Sequence, residues 1–158
     1  MQLELPTDHP KQQLLFYVAQ DFGEDIPPEV ERVVQVIAEN NKWLIAPPRF
    51  IDDIHASNLG TPVRTVGGVL ELYSALPPSD LPLDIDRGHL EEVCQIVEAL
   101  RRFSAEKKLA FELELDGTFV GAIEDGKIDQ TLSEGLIGEW RRELERRSSF
   151  GSGSEIRS

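Results

Sequence analysis

The chain has 158 residues, of which 40% are apolar and 28% charged, as in an ordinary globular domain. Its 16 basic and 29 acidic side chains give a formal net charge of −13. This sign disfavours nucleic-acid and membrane-surface partners, and no apolar run approaches the ~20 residues that span a bilayer. One cysteine, Cys94, excludes an internal disulfide, and the first residues lack a secretory pattern. We therefore expect a cytoplasmic protein and leave its oligomeric state open.

The length suits one domain with a real core. Apolar periodicity continues to about residue 147 and is followed by a segment rich in Ser and Gly. We expect a single globular domain over residues 1–147 and a flexible tail over residues 148–158.

Two helices are predicted in the first forty residues. Apolar residues at helical spacing, together with Pro10 near the start and Gly23 at the end, predict a helix over residues 7–23. Pro27-Pro28 opens a second helix over residues 27–40, whose inward face carries Val30, Val33, Val34 and Ile37.

The middle of the chain reads as strands separated by irregular segments. Residues 43–46 form a short apolar run that predicts a buried strand closed by Pro47-Pro48. Residues 49–65 show no period, which predicts a long surface connection. Residues 69–73 predict a strand, and a proline-rich crossing follows over residues 77–82.

The last third gives the clearest elements. After Asp86, interpreted as an N-cap, apolar residues recur every three or four positions and predict a long helix. Residues 111–115 alternate before Asp116-Gly117, which predicts a type I′ hairpin with Leu113 opposite Val120 and Phe119 on the other face beside Glu114. A short edge strand at residues 127–129 and a final helix from a Thr131/Glu134 capping box complete the pattern.

Together these elements predict an α+β fold, with about four helices packed on a small, mainly antiparallel sheet and with a hairpin and a helix at the C-terminus.

Two sets of side chains could hold a divalent metal and activate water. They are Asp52, Asp53 and His55, and Asp84, Asp86 and His89. Neither set has the spacing of a known metal motif, because a calcium loop from Asp84 would place glycine and glutamine at ligand positions. Cys94 lies beside an apolar stripe and is expected to be a small buried hydrophobe. We expect no metal, no cofactor and no enzymatic activity.

The acidic composition favours a module that binds a basic protein, because fixed carboxylates steer and pair with Lys and Arg. In format the chain is similar to bacterial immunity proteins, which plug the basic active site of a toxin. An adaptor or regulatory subunit with an apolar surface is the alternative, and a metal-assisted hydrolase is the third hypothesis. The predicted partner-binding residues, expected on loops at one end, are Phe50, Asp52, Asp53, Asp80, Asp84 and Asp86.

Overall fold

The structure, a computed structural model, describes residues 10–56, 59–73 and 81–156. They form a single α+β domain with three helices and a six-stranded antiparallel sheet. The elements are β1 (Lys11–Val18), α1 (Ile26–Asn40), β2 (Arg49–Ala56), β3 (Pro62–Tyr73), α2 (Leu83–Lys107), β4 (Phe111–Leu115), β5 (Thr118–Glu124), β6 (Lys127–Ile128) and a C-terminal helix that begins as a π-helix (Thr131–Gly138) and continues as α3 (Glu139–Ile156).

The strands lie in the order β2-β3-β1-β4-β5-β6, and each neighbouring pair is antiparallel. The run β1-α1-β2-β3-α2-β4 in this order is the split βαβ arrangement of ferredoxin-like folds. The remaining two strands and the C-terminal helix extend that unit at one edge. Because such a scaffold supports many functions, the function has to be argued from side chains.

The apolar core lies between the helices and one face of the sheet. On β1, Leu14, Phe16 and Val18 are at most 6% exposed and point to the helices. They pack with Val30, Val34 and Ile37 from α1 and with Val93, Ile96, Val97 and Leu100 from α2. Each buried side chain of this size contributes roughly 1.5–3 kcal/mol, so this layer holds the helices on one side of the sheet.

The helix predicted over residues 7–23 is wrong, because the described part of that segment is strand β1. The pattern is ambiguous, since Leu14, Leu15 and Val18 fit a helical stripe while Leu14, Phe16 and Val18 fit a period of two. The segment forms a strand instead of a helix because β1 lies between β3 and β4 and pairs with both. Tertiary pairing therefore overrides the local pattern.

The surface connection predicted over residues 49–65 is also wrong. Residues 49–56 and 62–73 are β2 and β3, which form an antiparallel pair, whereas residues 43–46 are loop instead of strand. β2 is an edge strand exposed along most of its length, so it keeps no apolar alternation. The strand predicted at residues 69–73 is confirmed as the second half of β3.

Two glycines in β3 serve close packing. A Cβ on Gly67 would lie 1.8 Å from the carbonyl oxygen of Phe16, and one on Gly68 would lie 2.4 Å from the Phe16 ring. The close approach of β1 and β3 therefore requires glycine at both positions.

The long helix of the last third is confirmed, but its start is not. α2 begins at Leu83 after Pro82, and Asp86 lies inside the first turns with only 2% exposure. The N-cap interpretation of Asp86 is therefore wrong. The predicted apolar stripe from Leu90 to Phe103 is buried.

The β4–β5 hairpin is confirmed, with Asp116 and Gly117 at φ values of 50° and 85°. Its register differs from the prediction beyond Glu114, because a β-bulge inserts one residue into β5. Leu113 therefore pairs with Gly121, not Val120. The shift brings Ile123 into the core with 0% exposure.

The C-terminal helix is confirmed, although the capping box is not formed. Asp129 instead accepts a hydrogen bond from the Leu132 N–H at 2.9 Å. The π-helical turn places Leu132 and Ile137, five residues apart, on the same buried face. The helix continues to Ile156 across the segment for which a flexible tail is expected, and the domain boundary at residue 147 stays a prediction.

Within the described ranges, none of the helices combines the length and apolar character needed to cross a bilayer.

Candidate functional site

The predicted partner-binding residues lie on separate elements. Phe50, Asp52 and Asp53 are on edge strand β2, and Asp84 and Asp86 are in the first turns of α2. Asp80 lies outside the described residues. These residues therefore lie on a strand and a helix instead of the expected loops, and no hydrogen bond or ion pair within the described ranges joins the two groups.

Asp52 is neutralised by an internal arginine. The Arg64 guanidinium donates from Nε and Nη2 to the two Asp52 carboxylate oxygens, each at 2.8 Å, and a third nitrogen reaches Glu24 at 2.8 Å. These hydrogen bonds lower the pKa of Asp52. Phe50 packs against the core. Asp53, on the opposite side of β2, is exposed, and its side chain has no ion pair or hydrogen bond within the described ranges.

Asp86 is engaged inside the protein. Its carboxylate accepts hydrogen bonds from Trp140 Nε1 and from Arg147 Nη1, each at 2.7 Å. Arg147 also donates to the Leu81 carbonyl at 2.7 Å. A carboxylate that is 2% exposed and fully paired connects α2 to the C-terminal helix and offers little to a partner.

A buried His89–Glu92 pair on α2 is a feature that the sequence analysis did not predict. The His89 Nε2 accepts from the Tyr73 N–H at 3.0 Å, so Nδ1 carries the proton and donates to Glu92 Oε1 at 2.7 Å. The second Glu92 oxygen accepts from the Leu44 N–H at 2.6 Å. Both ring nitrogens are occupied in an imidazole that is 0% exposed, so this pair holds a loop and a strand end against α2.

The two candidate metal sets are therefore split among other partners. Asp52 bonds to Arg64, Asp86 to Trp140 and Arg147, and His89 to Glu92. In the part of the chain that the structure describes, no group of three or more His, Cys, Asp or Glu side chains could hold a metal ion.

Cys94 lies in a groove of about 580 Å³ between α2 and the C-terminal helix. An Arg141 nitrogen lies 3.6 Å from its sulfur. Burial is the largest influence on this thiol and raises its pKa. Cys94 is half-buried, more accessible than expected, but a thiol with a raised pKa is a poor nucleophile at neutral pH.

The surface with the most distinctive composition is the side of the sheet opposite the helices, which we call the open face. It is formed by side chains that alternate with the core residues of the strands. They are Leu15 and Tyr17 on β1, Ile51 and Asp53 on β2, Val69 and Glu71 on β3, Glu112 and Glu114 on β4, and Phe119 on β5.

The strand register aligns these residues in two adjacent rows. One row runs Arg49, Val69, Leu15, Glu114, Phe119, and the other runs Ile51, Gly67, Tyr17, Glu112, Ala122. Leu15 and Ile51 are half-buried and belong to neither apolar core cluster, and Val69 between them is buried with 8% exposure. The open face thus has an apolar centre with carboxylates beside it, a composition that resembles the core and rim of protein interfaces.

Tyr17 links the two carboxylates of β4. Its hydroxyl oxygen lies 2.8 Å from Glu112 Oε1 and 2.8 Å from Glu114 Oε2. Burial first, and then these two contacts, raise the pKa of Tyr17. A phenol has one hydrogen to donate, so the two carboxylates share a single donor. No Lys, Arg or His in the described ranges forms a salt bridge with Glu112 or Glu114.

Phe119 completes the open face. It pairs with Glu114 across the hairpin, as the sequence predicted, and is 47% exposed. Tyr17 was missed because β1 was assigned to a helix, whereas Phe119 and Glu114 were recoverable from the hairpin pattern alone. Tyr73 does not contribute to this face, since it is 7% exposed and packs with Leu81 and Ile85.

Neither a protein-family model, nor a curated protein, nor a solved structure matches this chain.

Proposed function

We propose that the protein is a binding module that captures a basic protein on its open face and blocks that partner's cationic surface, in the manner of an immunity-type inhibitor. One observation carries the proposal. Glu112 and Glu114 share one phenolic donor and have no cationic partner in the described ranges, beside an apolar patch outside the core.

Charge complementarity selects the class of partner. A Lys ammonium or an Arg guanidinium placed between Glu112 and Glu114 would supply the donors that Tyr17 cannot. Such charge-assisted pairs also accelerate encounter, and the net charge of −13 acts in the same direction.

The apolar centre supplies the second component of affinity. Phe119 is a large exposed side chain, and Leu15 and Ile51 lie in the adjacent rows. Aromatic anchors surrounded by polar groups are typical hot spots of protein interfaces. An open sheet with aromatics can also bind RNA, but two uncompensated carboxylates next to Tyr17 repel phosphates and favour a protein partner.

A photo-crosslinking experiment tests the site. We would place p-benzoylphenylalanine at Phe119 and, as a matched control, at Val36 on α1, which is 49% exposed. In cells that produce the protein, we expect capture of a basic protein from position 119 only. Equal capture from position 36, or capture of an acidic protein, contradicts the proposal.

Charge-neutral variants then test the mechanism with the captured partner. Glu112→Gln with Glu114→Gln should weaken binding by about tenfold or more. Glu31→Gln with Glu106→Gln removes the same charge from exposed helix positions and should have little effect. Equal weakening by both pairs would mean that only net charge matters.

The salt dependence separates this proposal from an adaptor with an apolar interface. Raising the salt from about 0.15 M to 1 M shortens the Debye length from about 8 Å to about 3 Å. Capture through Glu112 and Glu114 should weaken strongly under this change. Salt-insensitive binding centred on Phe119 would instead favour the adaptor. If the partner is an enzyme, one equivalent of the module should abolish its activity.

A further inference from the structure

Edge strand β2 is available for pairing. Among the described residues, β3 is the only strand that is hydrogen-bonded to β2, and no other backbone hydrogen bond reaches β2. The last five of its eight residues are exposed, and Ile54 is 71% exposed. Proteins normally cover, shorten or charge such an edge to prevent unplanned pairing.

The charges on β2 are self-complementary. Arg49, Ile51 and Asp53 alternate on the open face, and Arg49 and Asp53 are both exposed. Neither side chain has an ion pair or a hydrogen bond in the described part of the chain. An arginine and an aspartate spaced equally on either side of one isoleucine match their own copies when the strand meets itself antiparallel.

We propose that two copies of the chain pair through β2 about a two-fold axis at Ile51. In this register Arg49 of each copy lies opposite Asp53 of the other, and Ile51 lies opposite its own copy. The dimer would join two six-stranded sheets into one, with the two open faces on the same side.

The same charges disfavour two registers that are shifted toward the C-terminal end of β2. Centring the pair on Asp52 or Asp53 would place that carboxylate directly opposite itself, which is destabilising. The Asp52-Asp53 pair, which the sequence suggested as a partner-binding site, thus restricts how the edge can pair. Ile51 and Asp53 also belong to the open face, but this inference rests on the free edge of β2, whereas capture of a basic partner rests on Glu112, Glu114 and Phe119. Either proposal can therefore fail without the other.

Charge-reversal variants test the proposal, with the monomer–dimer equilibrium measured by analytical ultracentrifugation. The salt concentration should be about 0.15 M, because the long-range repulsion between the net charges of the two copies is then largely screened. We expect reversible dimerisation of the wild-type chain. Arg49→Asp alone and Asp53→Arg alone each create two like-charged pairs and should weaken the dimer by about tenfold or more.

Two further samples make the test specific. The double variant Arg49→Asp, Asp53→Arg restores opposite charges and should dimerise like the wild type. An equimolar mixture of the two single variants should form a heterodimer, because all its charged pairs are then complementary. Glu31→Arg on α1 makes the same charge change as Asp53→Arg and should leave dimerisation intact.

A wild-type chain that stays monomeric at millimolar concentration overturns the proposal. So does a dimer that the single variants leave unchanged, or one that neither the double variant nor the mixture restores. Circular dichroism of each variant checks that its fold is retained.

Discussion

The Arg147 guanidinium lies 2.7 Å from the Asp86 carboxylate, although 61 residues separate the two in sequence. The pair joins the C-terminal helix to the start of α2, and Asp86 is 2% exposed while the Arg147 side chain is 31% exposed. A charge buried to this degree requires its partner, because solvation by water is lost.

Arg147→Met should therefore destabilise the protein by about 2 to 3 kcal/mol, somewhat less than for a fully buried pair because Arg147 is partly exposed. Urea unfolding measures the change. Arg146→Met removes a neighbouring arginine whose partner Glu143 is exposed and should cost little. Adding Asp86→Asn to Arg147→Met should recover part of the loss, and a purely additive loss would show that the pair is not coupled.

The buried His89–Glu92 pair makes a second prediction. Glu92→Gln leaves one acceptor oxygen for two donors, the His89 Nδ1–H and the Leu44 N–H. An unsatisfied buried donor costs about 1–3 kcal/mol, so thermal unfolding should begin at a lower temperature. Glu91→Gln, an exposed neighbour on the same helix, should be nearly neutral. Equal stability of the two variants would contradict the assigned hydrogen bonds.

Tyr17 gives a prediction at alkaline pH. Its pKa is raised in the folded protein above the ordinary value of about 10. The contribution of Tyr17 to the free energy of unfolding is therefore fully present below about pH 10. It is lost as the pH rises toward the pKa of Tyr17 in the folded protein. The free energy of unfolding of the wild type should fall relative to that of Tyr17→Phe above pH 10. Parallel pH profiles for the two proteins would refute a protonated Tyr17 between Glu112 and Glu114.

Asp52 and Asp53 make a matched comparison at acid pH. The Arg64 hydrogen bonds lower the pKa of Asp52, so its contribution is present above about pH 4 and is lost as the pH falls through the folded pKa. Asp52→Asn should cost about 0.5 to 1 kcal/mol at pH 7 for a partly exposed pair and less at acid pH. At protein concentrations where the chain is monomeric, Asp53→Asn should leave the free energy of unfolding unchanged at pH 7 and at acid pH. Urea unfolding of the Asp52→Asn and Asp53→Asn variants at the two pH values measures the difference between their free energies of unfolding. An equal effect of the two substitutions at pH 7 would contradict the Asp52–Arg64 ion pair.

Glycine packing in β3 is tested by adding one methyl group. Gly67→Ala places a Cβ 1.8 Å from a backbone oxygen of Phe16, so the strands must separate at a cost of about 1–3 kcal/mol or more. Gly135→Ala is the control, since its nearest neighbour is 3.9 Å away and alanine favours a helix by up to about 1 kcal/mol. A tolerated Gly67→Ala would contradict the β1–β3 approach.

Local sequence determined the elements whose stabilising contacts are close together in the chain. The apolar stripes of α1 and α2 and the turn at Asp116-Gly117 have one favourable local conformation, and the structure contains all three. The hairpin also placed Phe119 beside Glu114, which is half of the open face.

Only the tertiary structure decided the rest, because distant partners supplied the stabilising energy. Leu14 and Leu15 fit a helix or a strand equally well until β3 and β4 pair on either side of β1. That pairing brings Tyr17 to Glu112 across 95 residues and assembles the open face. In the same way, the residues near Asp86 in the sequence do not indicate its ion pair with Arg147. A carboxylate at the start of a helix can cap the helix or pair with an arginine that is distant in sequence, and only the tertiary structure decides between the two.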